Sequence, residues 1–253
     1  MSPSELSTAL LYGVPFVLYA SMYQGFDSLL ARRGAAEPER PRRFEELPRL
    51  REPTDAALHI AVAKSPEQFR AAGDLVRKRY AWRGYALRGP THGQSPHEIT
   101  FLVASGQSTL GTLTLGLDGP AGLRAEGAYG DVIERFRLAG HRVCELTRLA
   151  LAEGADSKAV LASLFSLAHA VGRTLHDVTH VFIEVNPRHV AFYTRVLGFA
   201  VEAAGKFCDR VRAPSTLLQV EIEALERRLG LLDLAALMQP LVAEAQPLVA
   251  EAA

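Results

Sequence analysis

The sequence predicts an α/β fold, a mixed central sheet with helices on both faces. Three observations predict it. Apolar runs of strand length alternate with longer stretches of helical periodicity. Two of the runs, 99–104 and 108–117, are joined by Ser105–Gly106–Gln107 and read as a hairpin, so the sheet is not all parallel. No strand is followed by a glycine fingerprint of the dinucleotide-binding type.

The elements follow in order. Residues 6–26 carry no charge but include Gly13 and Pro15 and have no basic residue before them, so they fit neither a simple spanning helix nor a secretion signal. They are expected to pack on the domain or on a second copy in a homodimer. Peripheral membrane contact, or a place facing the acyl chain, is the alternative. Residues 31–53 mix arginines, glutamates and prolines and read as a solvated linker. The compact unit is expected over 58–223, after a 1–57 segment. It opens with a strand at 58–63. Ser65–Pro66–Glu67 then starts a helix that runs to about Tyr80: a capping Ser, a Pro at the first position, an acid in the first turn. After the hairpin, 121–138 is helical or irregular. A strand at 141–152 precedes a strong helix at 157–175, with Ser157 as the expected cap. A strand at 179–185, a short helix at 189–197 and late strands at 199–203 and 215–222 complete the unit. The Leu- and Ala-rich 224–253 is expected to be a helical extension broken by Pro240 and Pro247.

Composition limits the functions open to this chain. It has 253 residues, with Lys plus Arg 28 and Asp plus Glu 28. A nucleic-acid binder would show a basic excess, so none is expected as a partner. Cys144 and Cys208 match no metal spacing, and Cys144 lies in an apolar run, which fits a reduced, cytoplasmic protein. His176 and His180 stand four apart without a third ligand, so no metal site is expected.

The chemistry-bearing stretch is Cys144–Glu145–Leu146–Thr147–Arg148–Leu149–Ala150–Leu151. Glu145 and Arg148 interrupt a run that otherwise favours burial, and a buried charge is costly unless paired or functional. On a regular strand, residues three apart face opposite ways. A β-bulge would bring both to one side, and bulges favour active sites. A structural ion pair is the other reading.

Glu145–Leu146–Thr147–Arg148–Leu149–Ala150–Leu151 resembles the central-strand motif of the long-chain N-acyl amino acid synthases, GNAT-like acyltransferases related to the acyl-homoserine-lactone synthases. Asn186–Pro187–Arg188–His189, Phe192–Tyr193 and Leu197–Gly198–Phe199 resemble the next strand and helix of that family. The resemblance covers about 58–202. It implies a GNAT-like sheet and transfer of a medium or long acyl chain to the α-amine of an amino acid. It implies Glu145 as the acid-base residue that takes the amine's proton, and Arg148 as its support or as a carboxylate binder. Tyr193 matches a general acid for the leaving thiolate, or a core tyrosine. Arg79 and Tyr80 match an Arg–Tyr segment that closes over substrates, with Arg79 facing a carboxylate or phosphate. Asn186 and His189 flank Pro187 at the strand end, His189 as a second proton carrier or a surface residue.

One departure bears on the donor. Coenzyme-A-dependent GNAT enzymes hold the pyrophosphate in a glycine-rich turn after the central strand. Here the turn is Ala152–Glu153–Gly154–Ala155–Asp156–Ser157–Lys158, and its acids would repel a diphosphate. The expected donor is therefore the phosphopantetheine thioester of an acyl carrier protein, ahead of coenzyme A. The rivals are a coenzyme-A-dependent N-acetyltransferase and a non-catalytic acyl-lipid-binding protein.

Overall fold

The computed structural model describes residues 58–91 and 95–229. The expectations for 1–57 and for most of the C-terminal extension lie outside the described residues. Strand β1 (His59–Val62) leads into helix α1 (Pro66–Trp82). Ser65 Oγ accepts from the N–H of Gln68, and Gln68 Oε1 accepts from the N–H of Ser65 at 3.0 Å, a closed capping box. The hairpin β2 (Glu98–Ser105) and β3 (Ser108–Leu117) follows. Helix α2 (Glu126–Leu138) is shorter than the sequence reading and kinks at Tyr129 (φ −128°). Strand β4 (Val143–Leu151), helix α3 (Ser157–His176) and strand β5 (His180–Val185) form the centre.

The expected helix at 189–197 is not one regular helix. It divides into a 3₁₀ turn (Pro187–His189), a single α-turn α4 (Val190–Phe192) and a π-turn (Tyr193–Leu197), and stops at Gly198 in the left-handed region (φ 81°). Strands β6 (Ala200–Cys208) and β7 (Ala213–Glu221) form a second hairpin, longer than predicted at β6. Helix α5 (Ile222–Leu229) opens the C-terminal extension. Ser157 is not the cap of α3. Asp156 Oδ1 accepts from the N–H of Ala159, and a carboxylate there also gains from the helix dipole.

Among the described residues the sheet has seven strands in the order β1-β2-β3-β4-β5-β7-β6. β4 and β5 are its parallel pair and the remaining pairs are antiparallel. Helix α3 packs on one face, with Val160, Leu164, Leu167 and Val171 against Phe101, Leu113, Leu115 and Val181. Gly111 admits this approach: a Cβ there would collide with Val160 Cγ1. Helix α2 covers the other face through Tyr129 and Ile133 on Val143, Phe182 and Leu217, and the Tyr129 hydroxyl donates to the Ser215 carbonyl at 2.8 Å. Each such fully buried apolar side chain contributes about 1.5–3 kcal/mol. Helix α1 joins that second face, where Ala72 meets Leu102 and Ala63. The two-sided packing pins the sheet's centre, and the strands part there.

Candidate active site

β4 and β5 pair only from Val143↔His180 to Glu145↔Phe182. Beyond that register β4 runs on to Leu151 beside β3, while β5 runs on to Val185 beside β7. The two strands separate, and a cavity of about 420 Å³ opens between them. Leu146, Ile183, Leu161 and Phe165 line it from the α3 side, and Glu145, Glu184, Arg124 and Arg210 from the other. The cavity thus passes through the sheet, with an apolar arm and a polar arm.

Glu145 stands at the parting point and is 1% exposed. Its Oε2 accepts from the N–H of Ala125 at 3.0 Å, while Oε1 has no hydrogen-bond partner among the described residues. Burial pushes the carboxyl up to about 7, against the pull of Arg210 and the Ala125 N–H. A carboxyl in that range exchanges protons readily at neutral pH.

The expected bulge is present. Thr112 pairs with Ala150 and Thr114 with Thr147, so Arg148 and Leu149 together oppose Leu113. Arg148 takes φ 53°, a left-handed conformation for a non-glycine residue. The turn brings Arg148 to the Glu145 face, but it does not pair with Glu145. Its guanidinium donates to Glu98, at 3.0 Å from Nη1 to Oε1. This corrects the expected support of Glu145 by Arg148. The register explains the partner: Glu98, Gly116 and Glu145 form one row across β2, β3 and β4, with no side chain on the middle residue. Arg124 Nε also donates to Glu98, at 2.5 Å. Burial works to raise the Glu98 carboxyl, yet the two guanidiniums hold it below the usual range.

The other residues singled out in the sequence line the same cavity. Arg79 stacks over Trp82 at 4.5 Å and lies 3.7 Å from Glu153, an acid of the turn before α3. Burial pushes the Tyr80 phenol up to about 12, with Arg148 pulling the other way. Tyr193 is held further above its usual range, mainly by burial and then by Tyr80 and Tyr85, so it stays protonated. Its ring also packs edge-on to Phe199, so the core role and the cavity position coincide. Asn186 caps the turn at its own end, accepting from the Arg188 N–H, and donates to the Pro214 carbonyl. Burial, Arg188 and Arg83 lower the His189 pKa, which keeps the ring neutral.

Sequence reasoning missed Glu98, Glu184, Arg124 and Arg210. Glu184 interrupts the apolar run Val181–Val185 as Glu145 interrupts its own, and that signal was available. Arg124 and Arg210 sit in loops where no local pattern marks them. Arg210 pairs with Glu184 and donates to the Arg124 carbonyl. Among the described residues no group of three or more His, Cys, Asp or Glu could hold a metal ion.

The model of the family described as N-acyl amino acid synthase FeeM matches residues 71–221, more than half of the chain. The chain belongs to this family. Like other members of the FeeM family it is an acyltransferase, and it has the GNAT-like fold. Among solved structures it is similar to FeeM, an N-acyl amino acid synthase from uncultured soil microbes, at 25% identity and TM-score 0.60, over 69% of this chain and 95% of that one. The acyl-homoserine-lactone synthase LasI is similar at 13% identity and TM-score 0.46, over 69% of this chain and 95% of LasI. A putative N-acetyltransferase from Lactobacillus plantarum is similar at 15% and 0.47, over 66% and 99%. No curated protein sequence matches. In this FeeM-family chain no described helix is long and apolar enough to cross a membrane.

Proposed function

We propose that this N-acyltransferase moves a medium or long acyl chain from an acyl carrier protein to the α-amine of an amino acid. One observation carries the reading: a carboxyl lifted by burial to about 7, with one oxygen lacking a hydrogen-bond partner among the described residues, sits where a through-sheet cavity changes from apolar to polar. The acyl chain lies among Leu113, Leu146, Leu161, Phe165 and Ile183, where burial of methylenes drives binding. The thioester carbonyl then sits at the parting of β4 and β5, where main-chain N–H groups of β4 beyond the last β4–β5 pair polarise it.

The amino acid arrives as an ammonium and gives one proton to Glu145. The freed amine lone pair attacks the thioester carbon. The C–S bond breaks as the tetrahedral intermediate collapses, the sulfur leaves as thiolate, and Tyr193 supplies its proton. The nitrogen's second proton restores Tyr193, and Glu145 returns its proton to solvent. The products are an amide and a free pantetheine thiol.

The choice of carrier protein over coenzyme A rests on the turn before α3. Asp156 occupies the helix N-terminus, and Glu153 adds a second acid. A diphosphate would meet both, whereas the single phosphate of a pantetheine arm can be met by Arg79. The acyltransferase unit is taken as 58–223.

Purified protein is incubated with acyl-carrier thioesters or acetyl-CoA and each common amino acid, and amides are sought by mass spectrometry. Amides from carrier thioesters are expected. Turnover of acetyl-CoA alone would overturn the reading.

A further inference from the structure

The mechanism uses Glu145 but leaves a second carboxylate in the same cavity unexplained. Glu184 is 4% exposed at its side chain, and its Oε1 is buried with no hydrogen-bond partner among the described residues. Glu145 Oε1 is in the same condition, and so is the Thr147 hydroxyl. All three residues line the cavity. Buried acceptors without donors are rare in folded proteins, and their clustering marks a place for something that brings N–H or O–H groups.

The register explains why they converge. In a parallel pair, residues in register share a face, and Glu145 is in register with Phe182. Glu184 lies two residues beyond Phe182, about 7 Å along the strand, and so on that same face. It comes forward where the strands part, so it pairs with Leu217 of β7 on one side and with no β4 residue on the other.

Cations flank the acids in an ordered way. Arg210, in the turn between β6 and β7, binds Glu184 through Nη2 and fixes it to the Arg124 carbonyl through Nη1. Arg124, ahead of α2, gives Nε to Glu98, and its two terminal amino groups make no hydrogen bond to the described residues. Arg124 is 29% exposed at its side chain and lines the cavity. One end of the polar arm thus offers acceptors without donors, and a neighbouring guanidinium offers donors without acceptors. A zwitterion with an ammonium beside a carboxylate complements both.

We propose that Glu145, Glu184 and Arg124 form the acceptor site for a free α-amino acid. The ammonium bridges Glu145 Oε1 and Glu184 Oε1, the α-carboxylate meets the terminal amino groups of Arg124, and Arg210 positions Glu184. This rests on the acyl-transfer reading above. It explains why the polar arm holds fixed charges of both signs, and it places the ammonium next to the carboxylate that deprotonates it. It also assigns Arg79 to the donor's phosphate, at the Glu153 end of the cavity.

The test is binding to the full-length chain, by calorimetry, with a non-reactive acyl-pantetheine thioether present. Each common amino acid is titrated. For the tightest binder, the α-hydroxy acid and the decarboxylated amine are then titrated as well. The amino acid is expected to bind at least tenfold tighter than either analogue. Glu184→Gln should weaken it at least tenfold. Arg124→Gln should weaken the amino acid by a similar factor and leave the decarboxylated amine unchanged, a split that a merely structural role for Arg124 would not produce. If Glu184→Gln does not fold, the two analogues on the wild type still decide. No amino-acid binding, a hydroxy acid that binds as tightly, or an Arg124→Gln loss equal for acid and amine would each overturn the site. Binding with this pattern but no amide formed from carrier thioesters would sink the function reading and leave the site. Amide formation without the pattern would do the reverse.

Discussion

Replacing Glu145 by Gln tests whether a buried carboxyl with a raised pKa sits at the centre of this site. The side chain keeps its shape and can still accept from the Ala125 N–H, but it no longer titrates. In the fold the carboxyl is lifted from 4.5 to about 7 by burial. A carboxyl whose folded pKa exceeds its unfolded value costs stability as pH rises: the loss begins near the unfolded value, 4.5, and is complete above about 7. At about 1.4 kcal/mol per unit, the ionised form costs the fold about 3 kcal/mol at pH 8 and under about 1 kcal/mol at pH 5. The variant escapes this cost. Urea unfolding at the two pH values should show Glu145→Gln gaining about 2–3 kcal/mol on the wild type at pH 8 relative to pH 5, whatever constant offset the amide introduces. Activity should move the opposite way. Wild-type kcat/KM should fall about tenfold per unit below pH 7, and the variant should lose about 10²-fold or more at pH 8 and lack that limb. The amine's own ionisation adds a limb common to both proteins. A stability gap that is the same at pH 5 and pH 8 would refute the argument, because the carboxyl would then not titrate near neutrality in the fold.

Other expectations follow from named contacts. Tyr193→Phe should lower kcat about 10²-fold with little change in KM or unfolding midpoint, since the ring keeps its packing on Phe199; unchanged kcat would remove Tyr193 from the proton path. Arg148→Ala should destabilise by about 1–3 kcal/mol by taking one guanidinium from the buried Glu98 carboxylate. Arg148→Gly should be about 0.5–1 kcal/mol milder, because φ 53° suits glycine; equal unfolding free energies would contradict a backbone origin. Gly111→Ala should cost about 1–3 kcal/mol in thermal or urea unfolding, because its methyl would press on Val160 of α3; a neutral effect would mean α3 shifts freely on the sheet.

By itself the sequence determined the order of elements, the hairpin at Ser105–Gly106–Gln107, the Ser65 cap and the end of the short helical segment at 197, just before Gly198. Each of these depends on neighbours a few residues apart: periodicity, a capping side chain, a glycine at positive φ. It also picked out Glu145, because a charge inside an apolar run is conspicuous along the chain. The tertiary structure alone decided which groups meet that carboxyl. The bulge after Thr147 returned Arg148 to the Glu145 face, and the row Glu98–Gly116–Glu145 then gave it Glu98 as partner. Arg124 and Arg210 reach the site from loops far apart in sequence. Such pairings depend on strand register and on where β4 and β5 part, and both are set by packing of α2 and α3 on opposite faces. Local spacing records neither.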